Sequence, residues 1–232
     1  MNLLSLYHNV DHENRKSILD LIEVDAKAKI IDLGCADGEF ALKIAEKAGT
    51  EEIYGAEFLE EACLRAKARG IKVYFADLNE NLPFENESFD VVHANQVLEH
   101  LPETDRFVKE VHRILKPGGY AVISTPNLAS FHNIFSLFLG KQPFSAHVSN
   151  EVILGNSLDP KHGMLHENKG EVHLRIFTME SLSELFEYYG FKVEQMIGVG
   201  YYPFPCPLAA FLSRVERNHS VYITMKTRKQ RY

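Results

Sequence analysis

Apolar positions along the chain alternate between two periods: short β-branched runs, then stretches with apolar residues three and four apart. The second period predicts helices over residues 17–24, 40–48, 60–69 and 103–115, and Gly49 and Gly70 suit the ends of two of them. The first predicts strands over 29–33, 52–56, 72–76, 89–94 and 120–125, with Pro117-Gly118-Gly119 breaking the helix before the last. Strands that alternate with helices in this way imply a mostly parallel sheet covered on both faces.

The rhythm fails over 127–175, a stretch that holds His132, His147, His162, His166 and His173. An insertion after a sheet strand lies over the carboxyl edge, where ligands bind, so it is expected to enclose a substrate. Its apolar segment 131–139 suits a lid helix closing an apolar wall over that substrate. A secondary reading is a face resting on a membrane or against a second subunit, which leaves monomer or homodimer open. Regular structure resumes with a predicted helix over 178–189 and closing strands over 191–198 and 219–227. Between those strands, prolines 203, 205 and 207 predict a rigid loop over 201–207, to which Tyr201, Tyr202 and Phe204 add aromatic surface.

At 232 residues the chain suffices for one α/β domain, 1–232, with the insertion at 127–177 inside it. Its 25 Lys and Arg against 32 Asp and Glu give a net charge of −7, which argues against a nucleic-acid footprint. The one basic run, 226–231, is expected to be a solvated tail. Three scattered cysteines offer neither a disulfide framework nor a metal pair, and there is no export signal or apolar 18-mer, so a cytoplasmic protein is expected.

The strand ending at Leu33 runs into Gly34-Cys35-Ala36-Asp37-Gly38 and directly on into a helix. Such a junction sets backbone N–H groups against a bound small molecule. Gly34 is expected to let the backbone approach that molecule, and Gly38 to permit the tight entry into the helix. The Gly-x-Gly-x-x-Gly spacing of a pyrophosphate cradle is absent, as is the Gly-Lys-Ser/Thr of a phosphate loop. Asp32, Glu57 and Asp77 end three successive strands and converge on one crevice, Glu57 placed for ribose hydroxyls and Asp77 for an adenine amino group. The pattern predicts an adenosine without phosphates.

With these blocks the chain resembles the class I S-adenosylmethionine-dependent methyltransferases. Asp32, Gly34 and Gly38 match the family's Asp-x-Gly-x-x-x-Gly, Glu57 its ribose-binding acid, and Asp77-Leu78 its adenine-binding pair. Phe89-Asp90-Val91-Val92, Gln96-Val97-Leu98-Glu99-His100-Leu101 and Leu115-Lys116-Pro117-Gly118-Gly119 follow in the family's order. The resemblance implies a Rossmann-like, doubly wound sheet of seven strands in the order 3-2-1-4-5-7-6, with strand 7 antiparallel. It implies S-adenosylmethionine as cofactor, S-adenosylhomocysteine as product, and contacts from Asp32, Gly34, Cys35, Gly38, Glu57, Phe58, Asp77, Leu78, Asn95 and Gln96. Ser124-Thr125-Pro126-Asn127 and His173-Leu174-Arg175-Ile176-Phe177-Thr178 are similar to the small-molecule group that includes ubiquinone-pathway O-methyltransferases.

The expected activity is methyl transfer to a small acceptor, an oxygen of a sugar or of a quinone- or phenol-like compound. Placement supplies much of such a reaction, and a hydroxyl acceptor adds the need for a group near its proton. His100 is the candidate for that group, unless it only caps the following loop, and His147, His162, His166 and His173 lie in or beside the insertion as surface or lid histidines or as groups facing the acceptor. A metal site built from them with Glu151 or Asp159 requires a convergence that spacing does not show, so none is expected. The alternatives are a protein or other N-methyltransferase, and a non-catalytic scaffold that binds the cofactor. Ala94-Asn95-Gln96-Val97 stands where base N-methylating members carry Asn-Pro-Pro-Tyr, and a scaffold needs none of the crevice residues.

Overall fold

The apolar run Ile30–Leu33 forms β1, and every residue of it is buried, as expected of a strand covered on both faces. The computed structural model describes residues 3–166, 170 and 172–231. In it β1 pairs in parallel with β2 (Ile53–Glu57) on one side and β4 (Phe89–Asn95) on the other. β3 (Lys72–Phe75) extends the sheet beyond β2, and β5 (Leu115–Pro126) beyond β4, both in parallel. β7 (Tyr222–Lys229) then lies antiparallel between β5 and β6 (Phe191–Val199). The order is 3-2-1-4-5-7-6, the seven-stranded arrangement expected.

Alternate β1 side chains feed two cores. Ile30 packs with residues of α1 (Leu3–Leu21), α2 (Glu39–Ala48) and α3 (Glu60–Ala68). Ile31 and Leu33 pack with residues of α4 (Thr104–Ile114) and α6 (Met179–Tyr188) on the opposite face. Helices therefore cover both faces, and the carboxyl ends of β1, β2, β4 and β5 open at one edge.

Four expectations need correction. α1 begins fourteen residues before the predicted start at Ser17 and stops at Leu21, not Val24. Its buried positions Val10, Asn14, Ile18 and Leu21 keep helical spacing, but a buried asparagine interrupts the apolar pattern by which such a helix is recognised. Pro117-Gly118-Gly119 does not separate helix from strand. β5 already starts at Leu115, and the break is a bulge in which Lys116 to Gly119 lie between the paired positions Phe89↔Leu115 and Val91↔Tyr120. The rigid loop ends early, since α7 (Cys206–Val215) starts with a proline in its first turn, where the missing N–H costs nothing. Finally, the basic run is no solvated tail: Lys226 to Lys229 belong to β7. Lys226 and Arg228 both pair with Glu23 at 2.6 Å, and Lys229 donates to the Leu115 carbonyl at 2.8 Å.

The insertion after β5 opens at a parallel bridge between Asn127 and Phe177 and carries α5 (Phe131–Phe138). α5 is inverted relative to an ordinary amphipathic helix, because His132, Asn133 and Ser136 are buried while Phe131, Ile134, Phe135, Leu137 and Phe138 are exposed. Hydrogen bonds explain the orientation. Asn133 donates to the Asn127 carbonyl and Ser145 Oγ and accepts from the Phe144 amide, and Asn156 donates to Ser136 Oγ. Among the described residues no helix is long and apolar enough to cross a membrane.

His132 lies among Phe144, Tyr202 and Ser130, and burial pushes its pKa down to about 4. An imidazole kept neutral in the fold but free to protonate when unfolded makes stability fall as pH drops from about 6.5 through 4. His132→Gln should shrink the stability lost between pH 7 and pH 4.5 by about 1–3 kcal/mol, read from urea unfolding at both values. Equal losses in the two proteins would contradict this.

Candidate functional site

The turn from β1 into α2 is built from left-handed backbone: φ is +77° at Gly34, +48° at Ala36 and +79° at Gly38. A Cβ on Gly34 would lie 2.5 Å from Val97 Cγ2, and one on Gly38 would collide with Ile71 Cδ1. Both glycines are thus required by backbone and packing. At Gly34 the direction a side chain would take is filled by Val97, while its backbone lines the cleft described next.

The loop forms one wall of a cleft of about 190 Å³ whose lining includes Asp32, Gly34, Cys35 and Asn95 from the predicted set. It also includes Arg15 of α1, Phe40 of α2 and His93 of β4. Asp32 and His93 are register partners on β1 and β4, and their side chains meet at 2.6 Å, both buried. That bond occupies His93 Nδ1, while Nε2 is buried without a hydrogen-bond partner. The edge of Phe40 packs on the same imidazole. Burial and the nearby carboxylates of Asp32 and Glu57 push the Cys35 thiol up, so it stays protonated.

Glu57, at the end of β2, is tied to the loop rather than exposed in the cleft. Its carboxylate accepts from the Ala36 amide at 2.9 Å and from the Phe58 and Leu59 amides at 2.8 and 2.9 Å. A carboxylate has about four acceptor positions, so capacity for a further donor is left. Phe58 is exposed and stacks on Phe75. Asp77 accepts from the Asn79 amide and side chain, and Leu78 is buried. Glu57, Phe58, Asp77, Leu78 and Gly38 do not line the cleft itself.

Asn95 ends β4, and its Oδ1 accepts from the buried Asn14 of α1 at 3.0 Å. Asn14 Oδ1 in turn accepts from Ser124 of β5 at 3.1 Å and Thr224 of β7 at 2.8 Å. The next residue, Gln96, turns left-handed at φ +55° while its amide holds the Ser124 carbonyl.

Gln96 lines a second cleft, of about 470 Å³, with His100, His147, His166 and His173. Asp159, Lys161, Phe144, Met164, Leu165 and Tyr222 complete much of its wall; His162 and Glu151 are not part of it. The α5 segment expected to wall this space does not reach it, because its apolar face points outward; residues 144–166 supply the wall instead. His100 Nδ1 lies 3.2 Å from the Val172 carbonyl and His173 Nδ1 lies 2.9 Å from that of Ser145. Burial, helped by the neighbouring imidazoles, pushes His147 to about 4 and His173 to about 3. Behind them Glu99 is fully buried and takes one bond from Thr125 at 2.9 Å, and burial raises its pKa to about 8. Spacing did not disclose this convergence, which the expectation of no metal site assumed absent.

Arg15, Asn14, Phe40, His93 and Glu99 escaped sequence reasoning. Glu99 had a signal, as it precedes His100 within the quoted block; Asn14 and Arg15, on a helix far upstream, had none. The first cleft fits an aminoacyl-bearing ligand by its donor set, with an acid at Asp32, a cation at Arg15 and an orphaned buried nitrogen on His93.

Asn14→Ala would leave Ser124, Thr224 and Asn95 short of a buried partner. It should cost about 2–4 kcal/mol in chemical denaturation; a loss below about 0.5 kcal/mol would refute this role.

A methyltransferase-domain family matches residues 6–196. A demethylmenaquinone methyltransferase of Staphylococcus epidermidis is 31% identical over 133 residues, 53% of this chain and 55% of that protein. A 2-phytyl-1,4-naphtoquinone methyltransferase of Nostoc punctiforme is 33% identical over 120 residues, 45% of this chain and 52% of that one. The chain thus spans about half the length of the curated relatives it matches. In fold it is similar to an S-adenosylmethionine-dependent methyltransferase from Mesorhizobium loti, with TM-score 0.60, 20% identity and coverage of 95% and 98% of the two chains.

Proposed function

Because this chain belongs to the class I S-adenosylmethionine-dependent methyltransferases, we propose that it methylates a small-molecule acceptor, at an oxygen of a quinone- or phenol-like compound or a sugar. The observation that carries this is the meeting of two clefts at consecutive residues, Asn95 lining one and Gln96 the other. A donor in the first and an acceptor in the second are thereby neighbours, and placement is the main requirement of methyl transfer.

Asp32 and Arg15 hold the charged aminoacyl end of the cofactor, and Glu57 accepts from its ribose hydroxyls without releasing the glycine loop. Asp77, Leu78 and Phe58 receive the adenine at the ends of β2 and β3. Bound there, S-adenosylmethionine supplies an electrophilic methyl group. The second cleft lies within the usual size range of ligand pockets, and its apolar wall of Phe144, Met164, Leu165 and Tyr222 suits a ring. The quinone compounds in the names of the two relatives support the same acceptor class. His100 acts at the acceptor hydroxyl, its ring held in the cleft by Nδ1 at the Val172 carbonyl, 3.2 Å away. Residues 144–166 and His173 of the insertion enclose the acceptor.

Calorimetric titration with S-adenosylhomocysteine should show one site per chain. Glu57→Gln, which keeps one carbonyl oxygen but loses the charge, should weaken it by about 1–2 kcal/mol. Unchanged affinity would remove Glu57 from the ribose site. In an acceptor screen starting with phenols, hydroquinones and hydroxylated sugars, His100→Ala should lower kcat by about 100-fold or more and leave S-adenosylhomocysteine affinity within about twofold. Equal kcat would end the role given to His100.

A further inference from the structure

We propose that Glu99, His100 and His173 form a binding site for one divalent first-row transition ion at the inner end of the second cleft. One ligand atom from each of the three lies within 4.8 Å of the other two. They come from two segments that the fold brings together: the Leu174 and Arg175 amides both donate to the Glu99 carbonyl, at 2.7 and 3.1 Å, and so carry His173 to Glu99 and His100.

The orphaned, fully buried oxygen of Glu99 points to a cation. Glu99 Oε2 is taken by Thr125, but Oε1 is buried without a hydrogen-bond partner and lies 3.9 Å from His100 Nε2. Each imidazole of the set places Nδ1 at a backbone carbonyl, Val172 for His100 and Ser145 for His173. This is the outer-shell contact that fixes the tautomer and orientation of a metal-binding histidine and leaves Nε2 as the ligand atom. His147 is excluded as a ligand and supports one instead. Its Nδ1 accepts from the His173 amide, and its ring stacks on that of His173 with centroids 4.5 Å apart.

Metal–ligand bonds of about 2.0–2.2 Å would draw the three atoms together by about 1 Å, within reach of small side-chain rotations. As the ion binds, Glu99 gives up its proton to solvent. Two imidazoles and one carboxylate favour Zn²⁺, Co²⁺, Fe²⁺ or Mn²⁺ over Mg²⁺ and Ca²⁺, and the remaining coordination positions face the cleft. In the acceptor pocket already proposed, the ion held by His100 would act at the acceptor hydroxyl in place of the imidazole itself, and the coordinated hydroxyl would release its proton to solvent more readily. That use rests on the proposed function; binding of the ion does not.

The test is a titration of the untagged, chelator-treated full chain with Co²⁺, followed by visible absorption, beside a calorimetric titration with S-adenosylhomocysteine. The expected result is one Co²⁺ per chain, displaced by Zn²⁺ but not by millimolar Mg²⁺. Glu99→Gln and His173→Asn should each weaken Co²⁺ by about 100-fold or more, whereas His147→Phe should change it by less than about tenfold. All three variants should keep S-adenosylhomocysteine affinity, which also reports that they are folded. Absence of saturable Co²⁺ binding, its survival in both ligand variants, or equal competition by Mg²⁺ would overturn the ion site. If S-adenosylhomocysteine binds in that case, the cofactor assignment stands alone; if Co²⁺ binds as expected and S-adenosylhomocysteine does not, the ion site stands and the methyltransferase assignment falls.

Discussion

Asn14 reaches from α1 to Asn95, Ser124 and Thr224, joining the carboxyl end of β4 to β5 and β7 by three hydrogen bonds, two of them fully buried. The positions of both clefts depend on the backbone held there. Asn95 belongs to the smaller cleft, and the left-handed turn at Gln96 sends the chain into the larger. A parallel sheet opens its strand ends on one edge, and the buried amide keeps that edge from splaying where the two pockets adjoin. Were β4 to shift there, the proposed donor and acceptor would lose the in-line placement on which methyl transfer relies.

The same principle recurs across the insertion. α5 is oriented not by its apolar residues but by Asn133 and Ser136, whose inward hydrogen bonds leave Phe131, Phe135 and Phe138 outside. Glu99 works in the same way at the cleft, its backbone carbonyl fastening the returning chain while its buried carboxyl meets Thr125. A buried polar group demands its partners, so it specifies position more sharply than an apolar contact does. Asn14 and Glu99 each join segments far apart in sequence, and Asn133 ties α5 to the turns on either side of it.

This explains which parts of the molecule were legible in the sequence. The runs at Ile30–Leu33 and Phe89–Asn95 announce buried strands and Gly49 announces the end of α2, while the strand order is what the family resemblance implies, consistent with the closing strands. Asp32, Gly34, Cys35 and Asn95 reach one cleft because strand ends in a parallel sheet converge by topology. Local pattern fails where polar residues go inward. Asn14 hides the true extent of α1, Lys226 and Lys229 disguise part of β7 as a tail, and His132 and Asn133 invert the face of α5. The histidine cluster was illegible for a different reason: His100 and His173 are 73 positions apart, and only the fold of an insertion without periodic pattern brings their rings to 5.0 Å.

The central claim is that cofactor and acceptor meet at the Asn95–Gln96 step. It is tested most directly by a crystal structure of the chain with S-adenosylhomocysteine. The account predicts the aminoacyl end beside Asp32 and Arg15, the ribose at Glu57, and the thioether sulfur at the boundary of the two clefts, facing His100. A ligand seated elsewhere, or one whose sulfur is separated from the histidine-lined cleft by protein, would contradict it.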